Sequence, residues 1–117
     1  MKPQSLSSLN LLVLAALAEN PTHAYGIRER IMTITLMQTQ PHASSIRSAL
    51  RRFEQADWIC QAWQERGKAS AHDRVIYDIT PQGWALLREE RQRLRFTSQW
   101  IDRLEARRRG LAMLRAA

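Results

Sequence analysis

Cysteine, glycine and lysine are scarce in this chain, and each scarcity removes a class of protein. The single cysteine, Cys60, has no intrachain partner, so no disulfide framework holds the fold. His23, His42 and His72 lie far apart in sequence, and none makes a metal-ligand spacing with Cys60. The four glycines build no phosphate-cradling loop, and there is neither a nucleophile elbow nor an H-E-x-x-H helix. An enzyme is therefore not expected, nor is a metal or a cofactor. Long apolar runs are also missing. Leu11–Ala18 falls well short of the roughly 18 residues that span a bilayer, and no convincing basic leader precedes it. The chain reads as cytoplasmic, with no membrane attachment.

What is abundant is arginine. The net charge is +7, from 18 Lys and Arg against 11 Asp and Glu, and the only lysines are Lys2 and Lys68. Such an excess favours a polyanionic partner such as nucleic acid, or an anionic membrane surface, and guanidinium forks suit phosphate and guanine better than ammonium groups do. With 117 residues, 44% hydrophobic and 25% charged, the rest is ordinary for one soluble domain with a modest core.

Taken in order, Leu6–Ala18 reads as a helix capped by Ser5 or Ser8. It is apolar nearly all round and so needs cover on more than one side. Asn20-Pro21 breaks the chain, and Thr22 is the expected cap of a second helix, His23–Leu36, with Ile27, Ile31 and Ile34 inward. Pro41 breaks the connector to a third helix, Ser44–Ala56, followed by Asp57 where a helix end prefers glycine. Trp58–Glu65 alternates like a strand, Arg66–Asp73 is a basic loop, and Arg74–Thr80 is a β-branched, aromatic strand. Pro81 starts a last helix that runs to about Arg108, with a weakly apolar, frayed tail after Gly110. The fold class is thus mainly α with a β-hairpin. Residues 1–80 form a winged helix-turn-helix, and residues 81–117 form a long C-terminal dimerisation helix and tail.

The third helix carries the chemistry. Ile46, Ala49, Leu50 and Phe53 recur at i, i+3, i+4 and i+7 and mark its buried face. The opposite face presents Ser44, Arg47, Ser48, Arg51 and Gln55, with Arg52 on its flank and no acid before Glu54. Hydroxyls and guanidinium groups bond both phosphates and base edges, so double-stranded DNA is the expected partner. The bland alternative is a surface helix with solvated arginines. Ser44, Ser45, Arg47, Ser48 and Arg51 are the candidate contacts, with Arg66, Lys68 and Arg74 from the hairpin. On the last helix, Leu86, Leu87, Leu94, Phe96, Trp100, Ile101 and Leu104 spread over about half the circumference. Such a face on a small domain calls for a second copy, with Leu9, Leu94, Ile101 and Leu104 as dimer contacts. Phe96 and Trp100 are candidates to line a pocket for a small aromatic effector; packing against the second copy is the competing role. Tyr25 and Tyr77 read as core or inter-element residues, Trp58 and Trp84 as core, Trp63 as exposed, and Cys60 as a buried inert thiol.

Three stretches resemble the PadR family of transcriptional regulators, in its short form with a single C-terminal helix. H-A-Y-G-I at His23–Ile27 resembles the family's H-G-Y-x-I. S-S-I-R-S-A-L-R-R-F-E-Q-A-D-W-I, from Ser44 to Ile59, is similar to G-x-L-Y-x-x-L-x-x-L-E-x-x-G-x-I. R-V-I-Y-D-I-T-P-Q-G at Arg74–Gly83 resembles R-x-x-Y-x-L-T-x-x-G. The resemblance spans roughly Leu9 to Leu104. It implies a homodimer through the first and last helices, two winged helices spaced for a palindrome, repression, and a small ligand near the dimer interface. This chain departs from the pattern at Arg47, where the family has tyrosine, and at Ser44 and Asp57, where it has glycine. Two other readings stand beside this one. The first is a winged-helix protein-interaction module that no longer reads DNA, which Arg47 would favour. The second is an architectural protein that binds DNA without sequence preference.

Overall fold

A computed structural model describes residues 7–64 and 75–116. Its element order is α1 (Ser8–Glu19), α2 (Ala24–Ile34), α3 (Ala43–Gln55), β1 (Ile59–Gln64), β2 (Val75–Ile79) and α4 (Pro81–Ala116). Three helices, a two-stranded antiparallel hairpin and a long C-terminal helix make a winged helix-turn-helix. The chain divides into two compact units, one ending at Leu87 and the other beginning at Arg88.

Helices α1 and α2 start where a side chain satisfies one of their first amides. The Ser7 hydroxyl accepts from the Asn10 amide at 3.2 Å and caps α1. His23, rather than Thr22, caps α2: its Nδ1 accepts from the Gly26 amide at 3.0 Å. Thr22 is drawn away because its backbone pairs with Tyr77 (2.8 and 3.1 Å), adding one residue to the edge of β2. The Thr22 side chain is then packed so closely that a Cβ on Gly26 would collide with its hydroxyl. A side chain at position 26 would therefore force the Thr22 hydroxyl to move, and glycine leaves it in place.

The helix ends are equally specific. After α3, the Asp57 amide donates to the Glu54 carbonyl and the Trp58 amide to the Phe53 carbonyl, at 3.1 and 2.9 Å. This is a Schellman closure, with Asp57 at φ 60° and the Phe53 and Trp58 rings in contact at 5.3 Å. The glycine-like geometry expected at Asp57 is thus present, on a residue that tolerates it better than a bulky one would. The same closure ends α2 two residues earlier than expected, at Ile34, with Leu36 and Met37 at φ 51° and 66°.

The core of the first unit is one cluster. Val13, Leu14, Ala16 and Leu17 of α1 meet Ile27 and Ile31 of α2, Ile46, Ala49, Leu50 and Phe53 of α3, and Ile59 of β1. Leu86 and Leu87, in the opening turns of α4, pack against it. Arg30 ties α1 to α2 by donating to the carbonyls of Ala16 and Asn20 at 2.9 and 2.6 Å. Those are acceptors that the end of α1 leaves without helical partners.

Several sequence expectations are corrected. Cys60 is exposed, because it sits on the hairpin face turned from Ile59. Ile34 is half exposed, since α2 closes there before another turn can bury it. Tyr25 and Trp84 are exposed rather than core, each lying one position past a buried residue on its helix (Ala24 and Gly83). Trp63 is exposed, as expected. The strand alternation fails at Ala62, where a bulge shifts the register so that Trp63 faces Ile76. The segment after Gly110 is helical to Ala116.

Candidate nucleic-acid interface

α3 is held from beneath and open above. Its four core residues, Ile46, Ala49, Leu50 and Phe53, are at most 1% exposed. At about 100° per residue, that anchoring turns Ser44, Arg47, Ser48, Arg51 and Gln55 to solvent, and all five are exposed. Ser45 is half-buried on the flank. The first turn of α3 holds no acid, and its cap residue His42 makes no side-chain capping bond. The positive end of the helix is therefore not neutralised by a side chain of its own first turn.

Two clefts border this face. On one flank Ser44, Ser45, Ser48 and Arg52 meet Leu9 of α1 around a cleft of about 350 Å³. Arg52 is steadied there by an Nη2 donation to the Asn10 side-chain carbonyl at 3.4 Å. On the other flank Arg47, Arg51 and Glu54 meet Ala24, Leu50, Val75 and Tyr77 around a cleft of about 240 Å³. Glu54, the acid that interrupts the basic face, is turned toward the hairpin: it accepts from Gln61 Nε2 at 3.3 Å. Burial raises the Tyr77 phenol above its ordinary pKa, and the Glu54 carboxylate raises it further, against the opposing Arg51.

The structure thus brings together five of the expected contacts, Ser44, Ser45, Arg47, Ser48 and Arg51, on one helix. Arg66, Lys68 and Arg74 lie outside the described residues. Arg52 and its Asn10 tether were not among the expected contacts. The signal was available, because Ser45, Ser48 and Arg52 share the i, i+3, i+7 spacing of a second stripe. On α4, Leu94, Phe96, Trp100, Ile101 and Leu104 are all exposed by 46% or more, whereas Leu9 is partly buried against the core. No group of three His, Cys, Asp or Glu that could hold a metal occurs among the described residues. No described helix is long and apolar enough to cross a membrane.

The winged helix-turn-helix with its long C-terminal helix is the architecture of a class of transcriptional regulators. The family model of PadR-like transcriptional regulators matches residues 13–89, and this chain belongs to that family, one of regulators rather than enzymes. Solved structures are similar over most of their length. A conserved protein of unknown function, described as a potential transcriptional factor, is 26% identical, with a TM-score of 0.71 over 94% of this chain and 98% of its own. A PadR family regulator from Clostridium difficile is 18% identical, with a TM-score of 0.68 over 84% and 98%. A PadR-like regulator from Bacillus cereus is 19% identical, with a TM-score of 0.65 over 82% and 89%. No curated protein matches.

Proposed function

We propose that this chain is a homodimeric repressor that reads a palindromic DNA site with α3 and works in the cytoplasm. Residues 1–80 serve as the reading domain and residues 81–117 as the dimerisation helix and tail. The observation that carries the reading is the exposed face of α3, basic and without an acid before Glu54, mounted on a fully buried one. In a twofold dimer the two α3 helices enter successive major grooves, about 34 Å apart. Arg47 and Arg51, one turn apart, divide guanine readout from phosphate anchoring, and the serines add shorter bonds. Arg66, Lys68 and Arg74 of the wing supply affinity more than sequence choice. Phe96 and Trp100 would line the site of a small aromatic effector that relieves repression, a role that rests on their place on the α4 face and on the family resemblance.

Selection of genomic fragments by the purified protein, followed by titration of the best fragment at several salt concentrations, tests this. The expected result is a short palindrome bound far more tightly than random DNA, with a steep salt slope. Arg51→Ala should cost about 1–3 kcal/mol and relax the preference at one position; Lys68→Ala should mainly flatten the slope. Steep but sequence-blind binding would indicate an architectural protein. Absence of salt-dependent binding would indicate a protein-interaction module.

A further inference from the structure

Most of the chain's positive charge lies outside α3. Arg88–Ala117 holds nine arginines against four acids, +5 of the whole chain's +7. Arg115, in the last turn of α4, complements the helix dipole. Arg88, Arg91 and Arg95 lie past the first turn and well before the last, so the dipole does not account for them. At about 100° per residue their i, i+3, i+7 spacing sets them in one stripe, and all three are exposed. Gln92, Ser98 and Gln99 fill the rest of that side until Asp102 closes it. No acid stands three or four residues from any of these arginines, and each has another arginine at that distance. Like-charge neighbours of this kind weaken a helix. Among the described residues none of the three makes an ion pair; the pair nearest them in sequence joins Glu90 to Arg93, at 3.4 Å, on another side of the helix.

We infer that this stripe is a second DNA-binding surface, one that holds the phosphate backbone of a duplex and reads no bases. Its chemistry is that of the exposed face of α3: arginine with glutamine and serine, and no acid until the end. Its setting is different. A helix that enters the major groove is enclosed on most of its surface, because the groove is about 12 Å wide. The other sides of α4 carry Leu94, Phe96, Trp100 and Ile101, all exposed, which a groove would press against phosphates. The stripe therefore lies along a backbone rather than in a groove. This role does not require α3 to read a particular sequence.

Two other polyanions fit this side less well. An anionic membrane holds a basic helix by taking up apolar side chains beside the cations, and from Arg88 to Asp102 this side has none. A single strand is held by stacking its bases on aromatic rings. Phe96 and Trp100 lie about 100° and 140° round the helix from Arg95, out of line with the stripe. A duplex backbone needs only cations and hydrogen-bond donors. From Arg88 to Arg95 the stripe runs about 10 Å along the helix axis. That is about three phosphates at the rise of one strand, roughly 3.4 Å each.

The whole chain carrying Arg88→Gln, Arg91→Gln and Arg95→Gln tests the stripe. A control with Arg103→Gln, Arg107→Gln and Arg109→Gln removes the same charge from the same helix. Each is titrated with a long random-sequence duplex at several salt concentrations. The stripe variant should bind roughly tenfold more weakly at low salt, with a slope of log K against log salt shallower by about 0.9 for each phosphate released. The control should change much less. Equal loss in both would reduce the effect to net charge and overturn the stripe. So would a stripe variant that binds the duplex like the parent but loses phosphatidylserine vesicles or single-stranded DNA. The outcome is separable from that of α3. A parent that binds every duplex alike, and loses that binding in the stripe variant, would overturn sequence reading and keep the stripe. A parent that selects one site, with a stripe variant unchanged on random duplex, would do the reverse. Two sources of phosphate are also distinguished. Longer flanks that tighten binding of the parent but not of the stripe variant place the contact on the same duplex. Joining of two differently labelled duplexes by the parent alone places it on a second one.

Discussion

Replacing glycine by alanine at two places on α4 should change stability in opposite directions. Gly83 is buried in the first turn, where its amide donates to the Thr80 hydroxyl at 3.1 Å. A Cβ there would collide with the Trp58 carbonyl oxygen and meet the Ile79 side chain at 2.7 Å. Both obstacles belong to the hairpin, and the carbonyl is backbone that already accepts from the Thr80 amide at 3.0 Å. Overpacking of this kind costs typically 1–3 kcal/mol, and a collision with backbone belongs at the upper end. Alanine returns about 1 kcal/mol through helix propensity, so Gly83→Ala should destabilise by about 2 kcal/mol. Gly110 has nothing within 4 Å of its Cβ position, so Gly110→Ala keeps only the propensity gain and should stabilise by up to about 1 kcal/mol. Thermal unfolding followed by circular dichroism separates the two, since 1 kcal/mol moves the midpoint of a domain this size by about 4–8 °C. A Gly83→Ala protein as stable as the parent would refute the claim that α4 starts in close contact with the hairpin.

Three further outcomes follow from the same contacts. Asp57→Gly should stabilise by up to about 1 kcal/mol: it removes a Cβ from a φ of 60°, a relief of roughly 1–2 kcal/mol partly offset by the entropy of a freer unfolded chain. A loss of stability in denaturant titration would show that the Asp57 side chain contributes more than its backbone costs. Arg30→Met should destabilise by roughly 2 kcal/mol through its two carbonyl bonds, and Arg30→Lys should restore part of it, because both bonds leave the one nitrogen Nη1 and an ammonium also carries enough donors for both acceptors. No rescue by lysine would show that the contact needs the reach of the guanidinium. Because folding raises the Tyr77 pKa, the folded state holds that proton more tightly. The resulting stability is complete below the unfolded tyrosine pKa of about 10 and is lost as pH rises through the folded value. Tyr77→Phe should remove this part of the alkaline decline in unfolding measurements above pH 10, and an unchanged decline would place its origin elsewhere.

The first three helices are legible because their apolar residues recur at helical spacing: Ile46, Ala49, Leu50 and Phe53 mark a buried face without help from tertiary structure. The helix ends were less so. Thr22 is the better cap by residue type, but its backbone is claimed by Tyr77, a pairing far away in sequence, and the cap passes to His23. Tyr25, Trp84 and Cys60 were misplaced for a related reason: type suggests burial, yet each sits beside a buried neighbour whose direction fixes its own. The tail after Gly110 was misjudged because a lone glycine lowers helix propensity by about 1 kcal/mol without ending a helix.

The candidate interface shows the same division between what composition can indicate and what only geometry can. An arginine-rich stretch with no acid before Glu54 points to a polyanion, but it does not say which cations stand on the exposed face. Packing decides that. Leu50 and Phe53 set the roll of α3, which puts Arg47 and Arg51 on the hairpin flank and Arg52 on the α1 flank, beside Asn10. Glu54 would oppose a phosphate if it faced outward, and its bond to Gln61 turns it toward the hairpin instead. The basic character of the helix thus comes from its sequence, whereas the direction in which that charge points comes from the hairpin and α1 on either side.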